Sequence, residues 1–287
     1  MPDIKVVGIM AKPNIPEASA VMSELVQWLR ARGVEARLDK VASEYCSQPD
    51  GLARDQVPEG AQLIIVLGGD GTLLSAARAV AGREIPIFPV NLGGLGFLTA
   101  ITLDQLYPEL ERAFKGEQRV VPRRMLHGTL IRGDQILKSY EALNDIVIAK
   151  TEIARMIELE VFVDSQYVSL FKADGLIIAT PTGSTAYSLS AGGPIVFPTV
   201  AALGITPVCP HMLTNRPVLV PSTSVITINC RTSDHLAFLT VDGQIGEPLL
   251  QDDQIVCRSS EHSVHLVRPP KMFFFDVLRQ KLKWGER

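Results

Sequence analysis

The sequence has no apolar run long enough to cross a bilayer as a helix. Uninterrupted apolar stretches such as Leu63–Leu67 and Leu176–Ala179 are far shorter than the ~20 residues that a membrane span requires. The first residues also lack the charged region and the long apolar core of a secretory signal. We therefore expect a cytoplasmic protein that has no membrane partner.

Neither an excess of one charge nor a cysteine motif is present. The chain has 28 Lys and Arg against 31 Asp and Glu, a net charge of -3, so we expect no nucleic-acid partner. No two of its four cysteines form a Cys-x-x-Cys pair, and we expect free thiols rather than disulfides or a zinc site. Any anionic ligand would be held by local groups such as main-chain amides, a few basic side chains or a metal ion.

With 287 residues, 46% of them hydrophobic, the chain can bury a core and form one large domain or two ordinary ones. Residues 1–122 alternate strand and helix patterns and predict an α/β domain with an open, mainly parallel sheet. The predicted elements are a strand over Lys5–Met10, a helix over Glu17–Arg32 with Gly33 as its C-cap, a weak strand over Val34–Leu38 followed by a polar loop, a buried strand over Leu63–Leu67, a helix over Leu73–Ala81 and a strand over Ile85–Val90.

Residues 123–269 consist mainly of short alternating segments separated by turn residues, which predicts an all-β second domain. The final segment, Phe275–Trp284, has helical spacing again. The predicted strands of the second domain are Leu126–Arg132, Gln135–Glu141, Asp145–Lys150, Met156–Val163, Gln166–Phe171, Gly175–Thr180, Val218–Val220, Val225–Cys230, Ala237–Val241 and Gln254–Arg258.

The sequence Gly-Gly-Asp-Gly-Thr at positions 68–72 lies between a buried strand and a helix. Anionic ligands bind at this point in open α/β sheets, and the glycines let main-chain amides approach phosphate oxygens. We expect Thr72 to cap the helix. A carboxylate here, Asp70, would repel phosphate unless it bound a metal ion or accepted a proton from an attacking hydroxyl.

Three common fingerprints are absent. The chain has no Gly-x-x-x-x-Gly-Lys-Ser/Thr motif, so it is not a P-loop nucleotidase. The Gly-x-Gly-x-x-Gly dinucleotide pattern fails at both Gly69 and Gly94, which disfavours a hydride-transfer enzyme. No Gly-x-Ser-x-Gly elbow surrounds Ser184 or Ser190, which counts against a serine hydrolase.

Three further stretches carry polar groups near predicted strands. Asn91–Phe97 is a second glycine turn, in which Phe97 either faces an adenine or lies in the core. Asn144 suits an adenine edge and Asp145 a ribose diol, although the pair alone is only a turn signal. In Asp174–Pro194 a buried strand opens into hydroxyl-rich residues, where we expect Ser184 or Thr185 to cap a short helix that begins at Ala186.

Taken together, these blocks resemble the NAD kinase family. The matching pieces lie in family order over about residues 64–245, and the most specific is Thr-Pro-Thr-Gly-Ser-Thr-Ala-Tyr-Ser at 180–188. The others are Gly-Gly-Asp-Gly-Thr at 68–72, Asn-Leu-Gly-Gly-Leu-Gly-Phe at 91–97, Asn144-Asp145, Cys-Pro-His-Met-Leu-Thr-Asn-Arg-Pro at 209–217 and Asp-Gly-Gln at 242–244.

The resemblance implies phosphorylation of the adenosine ribose 2′-hydroxyl of NAD by ATP, with Asp70 as the base and Gly71 in the phosphate-binding turn. It also implies that residues 270–287 return to the first domain, that 123–269 carry most of the NAD site, and that the enzyme is a homodimer or homotetramer. By position, the remaining substrate-binding residues are Asn144, Asp145, Arg155, Lys172, Asp174, Thr185, Ala186, Tyr187, Ser188, Leu189, Ser190 and Gln244. His211 lies in a matching block, where a structural role is as good an interpretation as a catalytic one.

A divalent cation, most plausibly Mg²⁺ delivered with ATP, is expected because both substrates are polyanions. Asp70 either accepts the hydroxyl proton or places that cation, and no other metal ligand is assigned. Two rival functions are kept as alternatives. One is a lipid or sugar kinase that shares the Gly-Gly-Asp-Gly turn, and the other is a non-catalytic NAD(P)-sensing module.

Overall fold

The computed structural model describes residues 4–15, 18–151, 155–233, 236–270 and 272–285. It divides the chain into two compact units. Unit 1 consists of Met1–Pro122 and Val264–Arg287, and unit 2 of Arg123–Ser263. The C-terminal segment from Val264 is therefore grouped with the first part of the chain.

The described residues form both helices and strands. The helices are α1 (Ala18–Arg30), α2 (Lys40–Tyr45), α3 (Asp70–Val80), α4 (Leu106–Phe114), α5 (Tyr187–Ser190) and α6 (Phe274–Leu282). The strands are β1 (Val6–Ala11), β2 (Glu35–Leu38), β3 (Leu63–Gly68), β4 (Ile87–Asn91), β5 (Arg119–Arg132), β6 (Gln135–Ala142), β7 (Asp145–Lys150), β8 (Ile157–Val163), β9 (Gln166–Ala173), β10 (Gly175–Ala179), β11 (Ala202–Val208), β12 (Val218–Pro221), β13 (Ile226–Cys230), β14 (Ala237–Val241), β15 (Ile245–Leu249) and β16 (Gln254–Arg268).

Unit 1 contains a parallel sheet in the order β2-β1-β3-β4-β16, where β16 joins through its final residues. Every residue of β3 is buried, as expected of a parallel strand covered on both faces. In the hydrophobic core of unit 1, strand residues such as Ile65 and Phe88 pack with Leu25 of α1. Because the strands are parallel, their carboxyl ends meet at one edge, where open α/β sheets bind ligands.

Unit 2 is built from antiparallel strands. One sheet has the order β12-β11-β10-β7-β14-β15, and a second set pairs the first part of β16 with β13, β8 and β9. Inward side chains from both sets form one hydrophobic cluster that includes Ile148, Ile178 and Ile228. The predicted fold class, an α/β N-terminal region followed by a β-rich domain, is confirmed.

The strand and helix predictions missed several elements. β11 and β15 were not predicted, because Gly204 with Pro207 in β11 and Gly246 with Pro248 in β15 hide the strand pattern. The predicted polar loop after β2 contains α2, whose N-cap Asp39 accepts a hydrogen bond from the Ala42 amide at 2.8 Å. β5 and β16 are longer than predicted.

The first helix is close to its prediction. α1 covers Ala18–Arg30, whereas the predicted start, Glu17, lies outside the described residues. Gly33 has a φ of 70°, the left-handed conformation for which a glycine is favoured after a helix. Within the described part of the chain, no helix is both long and apolar enough to cross a bilayer.

Candidate active site

The Gly68–Thr72 turn joins β3 to α3 at the carboxyl edge of the unit 1 sheet. α3 begins at Asp70, so Gly69 is the N-cap, and the prediction that Thr72 caps the helix is wrong. Thr72 lies inside the first turn and is buried. A Cβ at Gly68 would lie 2.5 Å from the Thr72 hydroxyl oxygen, so this close approach requires glycine. The amino end of α3 carries partial positive charge, which favours phosphate.

The Asp70 carboxylate is held by the loop that follows β4. Its Oδ2 accepts a hydrogen bond from the Phe97 amide at 2.9 Å. Its Oδ1 accepts from the Leu98 amide at 3.1 Å and from the amide and hydroxyl of Thr99, both at 2.9 Å. Oδ2 accepts only one of these four hydrogen bonds, so it keeps a lone pair for one more donor. Asp70 is therefore fixed in place yet able to accept a hydrogen bond from a hydroxyl group.

The second glycine turn is fitted closely around that carboxylate. A Cβ at Gly96 would lie 2.2 Å from both Asp70 Oδ1 and Thr99 Oγ1. Asn91 braces the turn from within, since its Nδ2 donates to Thr99 Oγ1 at 2.7 Å and its Oδ1 accepts from the Gly93 amide at 2.7 Å. Asp70 and the two glycine turns thus form one hydrogen-bonded assembly.

The Phe97 side chain is half-buried, and Lys281 Nζ lies 5.8 Å from its ring centroid. An aromatic ring in contact with a cation can still offer its other face to a base. The contact between Phe97 and adenine stays a prediction.

In unit 2, the predicted pair Asn144 and Asp145 stands at the start of β7. The carboxylate of Asp242, in the turn between β14 and β15, organises this point. Asp242 Oδ1 accepts from the amides of Asn144 at 2.8 Å and Asp145 at 3.3 Å, and its Oδ2 accepts from the Leu143 amide at 3.2 Å. The Asp242 amide in turn donates to the Asp145 carbonyl at 2.9 Å. The main chain around Asn144 is thereby fixed.

Burial and, as the smaller cause, the neighbouring negative charge of Asp242 together raise the pKa of Asp145 to about 7. The Asp145 side chain is only 4% exposed. Near neutral pH this group is therefore present in both forms, of which the protonated one can donate a hydrogen bond and the ionised one can only accept.

The segment after β10 packs directly against Asn144. Thr180 Oγ1 donates to the Leu143 carbonyl at 2.6 Å and accepts from the Gly183 amide at 3.0 Å. The Thr180 amide donates to the Asn144 carbonyl at 2.9 Å, and a Cβ at Gly183 would lie only 2.0 Å from that carbonyl oxygen. Unit 2 therefore brings the Asn144–Asp145 pair, the hydroxyl-rich turn and Asp242 together.

The helix predicted to begin at Ala186 is the four-residue α5, which starts at Tyr187 with Ala186 as its N-cap. The prediction that Ser184 or Thr185 caps it is wrong, because both hydroxyls bond elsewhere. Ser184 Oγ donates to the Pro181 carbonyl at 2.7 Å, and Thr185 Oγ1 donates to the Thr182 carbonyl at 3.3 Å.

Within Thr185–Ser190 the side chains divide between packing and exposure. Ser188 is buried, with its Oγ 3.0 Å from Thr206 Oγ1. Tyr187 and Ser190 are exposed, and Thr185, Ala186 and Leu189 are intermediate. The exposed members are the ones that a ligand can reach.

Two predicted ligand residues on β9 and just after it form ion pairs. Asp174 Oδ1 lies 2.5 Å from Lys150 Nζ. Lys172 Nζ lies 2.7 Å from Glu158 Oε1, and both of these side chains are well exposed. A surface pair of this kind is weak, so Lys172 can exchange its partner for an anionic ligand at little cost.

Arg155, Gln244 and His211 are all exposed. The Gln244 amide donates to the Val241 carbonyl at 3.0 Å, which places Gln244 at the end of the turn that carries Asp242. The His211 amide donates to the Lys172 carbonyl at 2.8 Å, so the main chain at His211 lies beside a predicted ligand residue.

Sequence reasoning named Asp242 only within the matching Asp-Gly-Gln block and gave Thr180 no function of its own. The Asp-Gly pair at 242–243 between two alternating segments predicts a tight turn. It does not show that the carboxylate turns back onto amides almost a hundred residues earlier in the chain. A contact of that sequence separation has no local signal.

The comparisons with known proteins agree along the whole chain. Residues 7–118 match the ATP-NAD kinase N-terminal domain family, and residues 143–269 match the ATP-NAD kinase C-terminal domain family. The NAD kinase of Solibacter usitatus (strain Ellin6076) is 59% identical over 287 residues and covers all of both chains. The NAD kinase of Geotalea daltonii (strain DSM 22248 / JCM 15807 / FRC-32) is 49% identical over 284 residues, 99% of this chain and all of that one.

Solved structures show the same fold. Yeast NADH kinase complexed with NADH superposes with a TM-score of 0.91 at 26% identity, covering 100% of this chain and 90% of that one. An NAD kinase from Archaeoglobus fulgidus in complex with ATP has a TM-score of 0.75 at 26% identity, covering 97% of this chain and 98% of that one.

The raised pKa of Asp145 predicts how stability depends on pH. Because the folded pKa of about 7 lies above the ordinary aspartate pKa of 3.8, the folded state binds more protons between these values, and stability falls as pH rises through this window. Asp145→Asn removes the titration. We expect its free energy of unfolding to rise relative to wild type between pH 5 and 7, by at most ~1.4 kcal/mol per pH unit.

Urea unfolding at pH 5, 6, 7 and 8 measures this difference, and Asp134→Asn, an exposed carboxylate in a turn, is the matched control. A difference in the free energy of unfolding that is the same at every pH would come from hydrogen bonds that the new side-chain amide loses or gains. The change of that difference with pH reports the titration of Asp145 alone. Parallel stability curves at all four pH values would contradict the raised pKa.

Proposed function

This chain belongs to the NAD kinase family, and we propose that it transfers the γ-phosphate of ATP to the 2′-hydroxyl of the adenosine ribose of NAD, giving NADP. The observation that carries the proposal is the Asp70 carboxylate at the amino end of α3, held by four hydrogen bonds and with one acceptor site of Oδ2 to spare. That geometry suits a hydroxyl nucleophile beside a phosphate-binding turn.

Asp70 is proposed as the general base. Phosphoryl transfer depends more on alignment and on charge neutralisation than on covalent catalysis, so a proton acceptor must be held still while the ribose hydroxyl attacks. The hydrogen bonds from Phe97, Leu98 and Thr99 provide that fixed orientation. Base assistance of this kind typically contributes ~10²–10⁴-fold to the rate.

The divalent cation, with Mg²⁺ as the proposed ion, is part of the ATP substrate. Among the described residues, no group of three or more His, Cys, Asp or Glu side chains is placed to hold a metal ion. Mg²⁺ commonly binds through one or two carboxylates together with substrate phosphates, and the Asp70 oxygen set fits that requirement. In this alternative role Asp70 would orient the cation rather than accept the proton.

The proposed NAD contacts lie on unit 2. The side-chain amide of Asn144 is proposed to pair with the adenine edge. The Asp145 carboxyl group is proposed to bind the ribose diol as donor or acceptor. The hydrogen bonds that the main-chain amides of both residues donate to the Asp242 carboxylate hold them in place for this. The further proposed NAD contacts are Arg155, Lys172, Asp174, Gln244 and the segment Thr185–Ser190, with Gly71 contacting phosphate and Phe97 the adenine.

We also propose that the enzyme works in the cytoplasm as a homodimer or homotetramer. Among the described residues, β12 is an edge strand of its sheet, and its Val218 and Leu219 are 44% and 45% exposed. An apolar sheet edge is a surface that proteins usually cover. Light scattering at micromolar protein concentration is expected to give two or four chain masses, and a monomer mass would contradict the oligomer.

The function is tested by NADP formation from NAD, ATP and Mg²⁺, with wild type compared with Asp70→Asn. The amide keeps the size of the side chain but cannot accept the hydroxyl proton, so we expect kcat to fall by at least ~100-fold while NAD binding persists. Asp55→Asn, an exposed carboxylate in the same unit, is the control and should keep wild-type kcat.

Each other outcome has a definite meaning. If Asp70→Asn is nearly as active as wild type, the kinase stands and the base assignment is wrong. If folded wild-type protein binds NAD but forms no NADP, the sensing module is favoured. If it neither binds nor phosphorylates NAD, lipid and sugar acceptors are the next substrates to assay.

A further inference from the structure

The C-terminal segment brings a buried arginine to the carboxyl edge of the unit 1 sheet. Leu266 of β16 pairs with Ile87 of β4 in parallel, so both strands end at the same edge. Arg268 is the last residue of β16, and only 6% of it is exposed. A charged group buried at this place is costly unless it bonds to something there.

Arg268 and Asp70 hydrogen-bond to the same peptide group. Arg268 Nη2 donates to the Phe97 carbonyl oxygen at 3.0 Å. The N–H of that same peptide unit belongs to Leu98 and donates to Asp70 Oδ1 at 3.1 Å. Because a trans peptide is planar with its C=O and N–H on opposite sides, this one peptide group connects the guanidinium to the carboxylate.

The hydrogen bond from Arg268 to this peptide group has two physical effects on Asp70. A cationic donor on the carbonyl polarises the peptide and strengthens the hydrogen bond made by its N–H. It also fixes the tilt of the peptide plane, and any rotation would move the Leu98 N–H away from Asp70. The turn has little room to adapt, since a Cβ at Gly96 would already lie 2.2 Å from Asp70 Oδ1.

A second basic side chain from the same C-terminal segment contacts Phe97. Lys281, on α6, has its Nζ 5.8 Å from the centroid of the Phe97 ring. This distance is within the range of a cation–π interaction. The main chain and the side chain of Phe97 are therefore both contacted by residues that follow unit 2 in the sequence.

We propose that Arg268 is a positioning residue for phosphoryl transfer, which acts on the Asp70 carboxylate through the Phe97–Leu98 peptide group. The proposal rests on the proposed function for its kinetic consequence. Arg268 touches neither reacting atom in this role. It sets the orientation of the Asp70 carboxylate, which accepts the proton of the hydroxyl group.

The kinetic test compares Arg268→Met, which keeps an unbranched apolar stem and removes the donors, with Arg268→Lys, which keeps a charged donor. Misplacement of a catalytic group is expensive, so we expect kcat of Arg268→Met to fall by at least ~10-fold while KM for NAD changes less than ~3-fold. Arg268→Lys should recover part of kcat. Arg258→Met, an exposed position on the same strand, is the control and should match wild type.

A double-mutant cycle separates positioning of Asp70 from a general loss of structure. If Arg268 acts through Asp70, then Arg268→Met should lower kcat by less than ~2-fold in the Asp70→Asn background. The same loss in both backgrounds, or an unchanged kcat in Arg268→Met alone, would overturn the proposal.

Amide hydrogen exchange tests the contact without any turnover. We expect the Leu98 and Thr99 amides to exchange at least ~10-fold faster in Arg268→Met than in wild type, while strand β3 keeps its protection. Unchanged exchange at Leu98 would overturn the proposal. If Arg268→Met does not fold, Arg268→Lys is used, with a smaller rise expected. Absence of wild-type NADP formation would instead count against the proposed function, and the exchange result would still decide the contact.

Discussion

The hydrogen bonds between the Asp70 carboxylate and the amides of Phe97, Leu98 and Thr99 are the interaction on which the proposed chemistry depends. They join the turn after β3 to the loop after β4, which the parallel sheet brings side by side. The adjacent strand β16 adds Arg268 on the far side of the same loop. A bound phosphate would repel a nearby carboxylate, so the carboxylate must be held in place. Main-chain amides can hold it by hydrogen bonds without a further charged side chain.

In unit 2, an aspartate carboxylate likewise accepts hydrogen bonds from main-chain amides, here around Asn144. There the carboxylate of Asp242 accepts hydrogen bonds from consecutive amides and fixes the start of β7. The price is a second buried carboxyl, Asp145, whose pKa rises to about 7 through burial and through the nearby charge. In both units, therefore, an aspartate organises a loop by accepting main-chain bonds, and glycine supplies the close approach at Gly96 and Gly183.

Much of the fold and part of the site could be predicted from local patterns. A continuous apolar run predicts β3, short apolar segments bounded by turn residues predict β7 and β14 to the residue, and the glycine turn points to Asp70 as a candidate. Strands β11 and β15 could not be predicted because proline and glycine interrupt their patterns. The roles of Asp242 and Arg268 depend on contacts far apart in sequence, which no local pattern records.

The most direct test disturbs the fit of the loop around Asp70 and leaves the chemistry of every proposed catalytic side chain unchanged. Gly96→Ala puts a Cβ 2.2 Å from Asp70 Oδ1, whereas a Cβ at Gly94, in the same turn, meets nothing within 4 Å. Single-turnover phosphoryl transfer to bound NAD should fall at least ~100-fold in folded Gly96→Ala and stay near wild type in Gly94→Ala. Transfer by Gly96→Ala at the wild-type rate would contradict the claim that the held carboxylate governs the reaction.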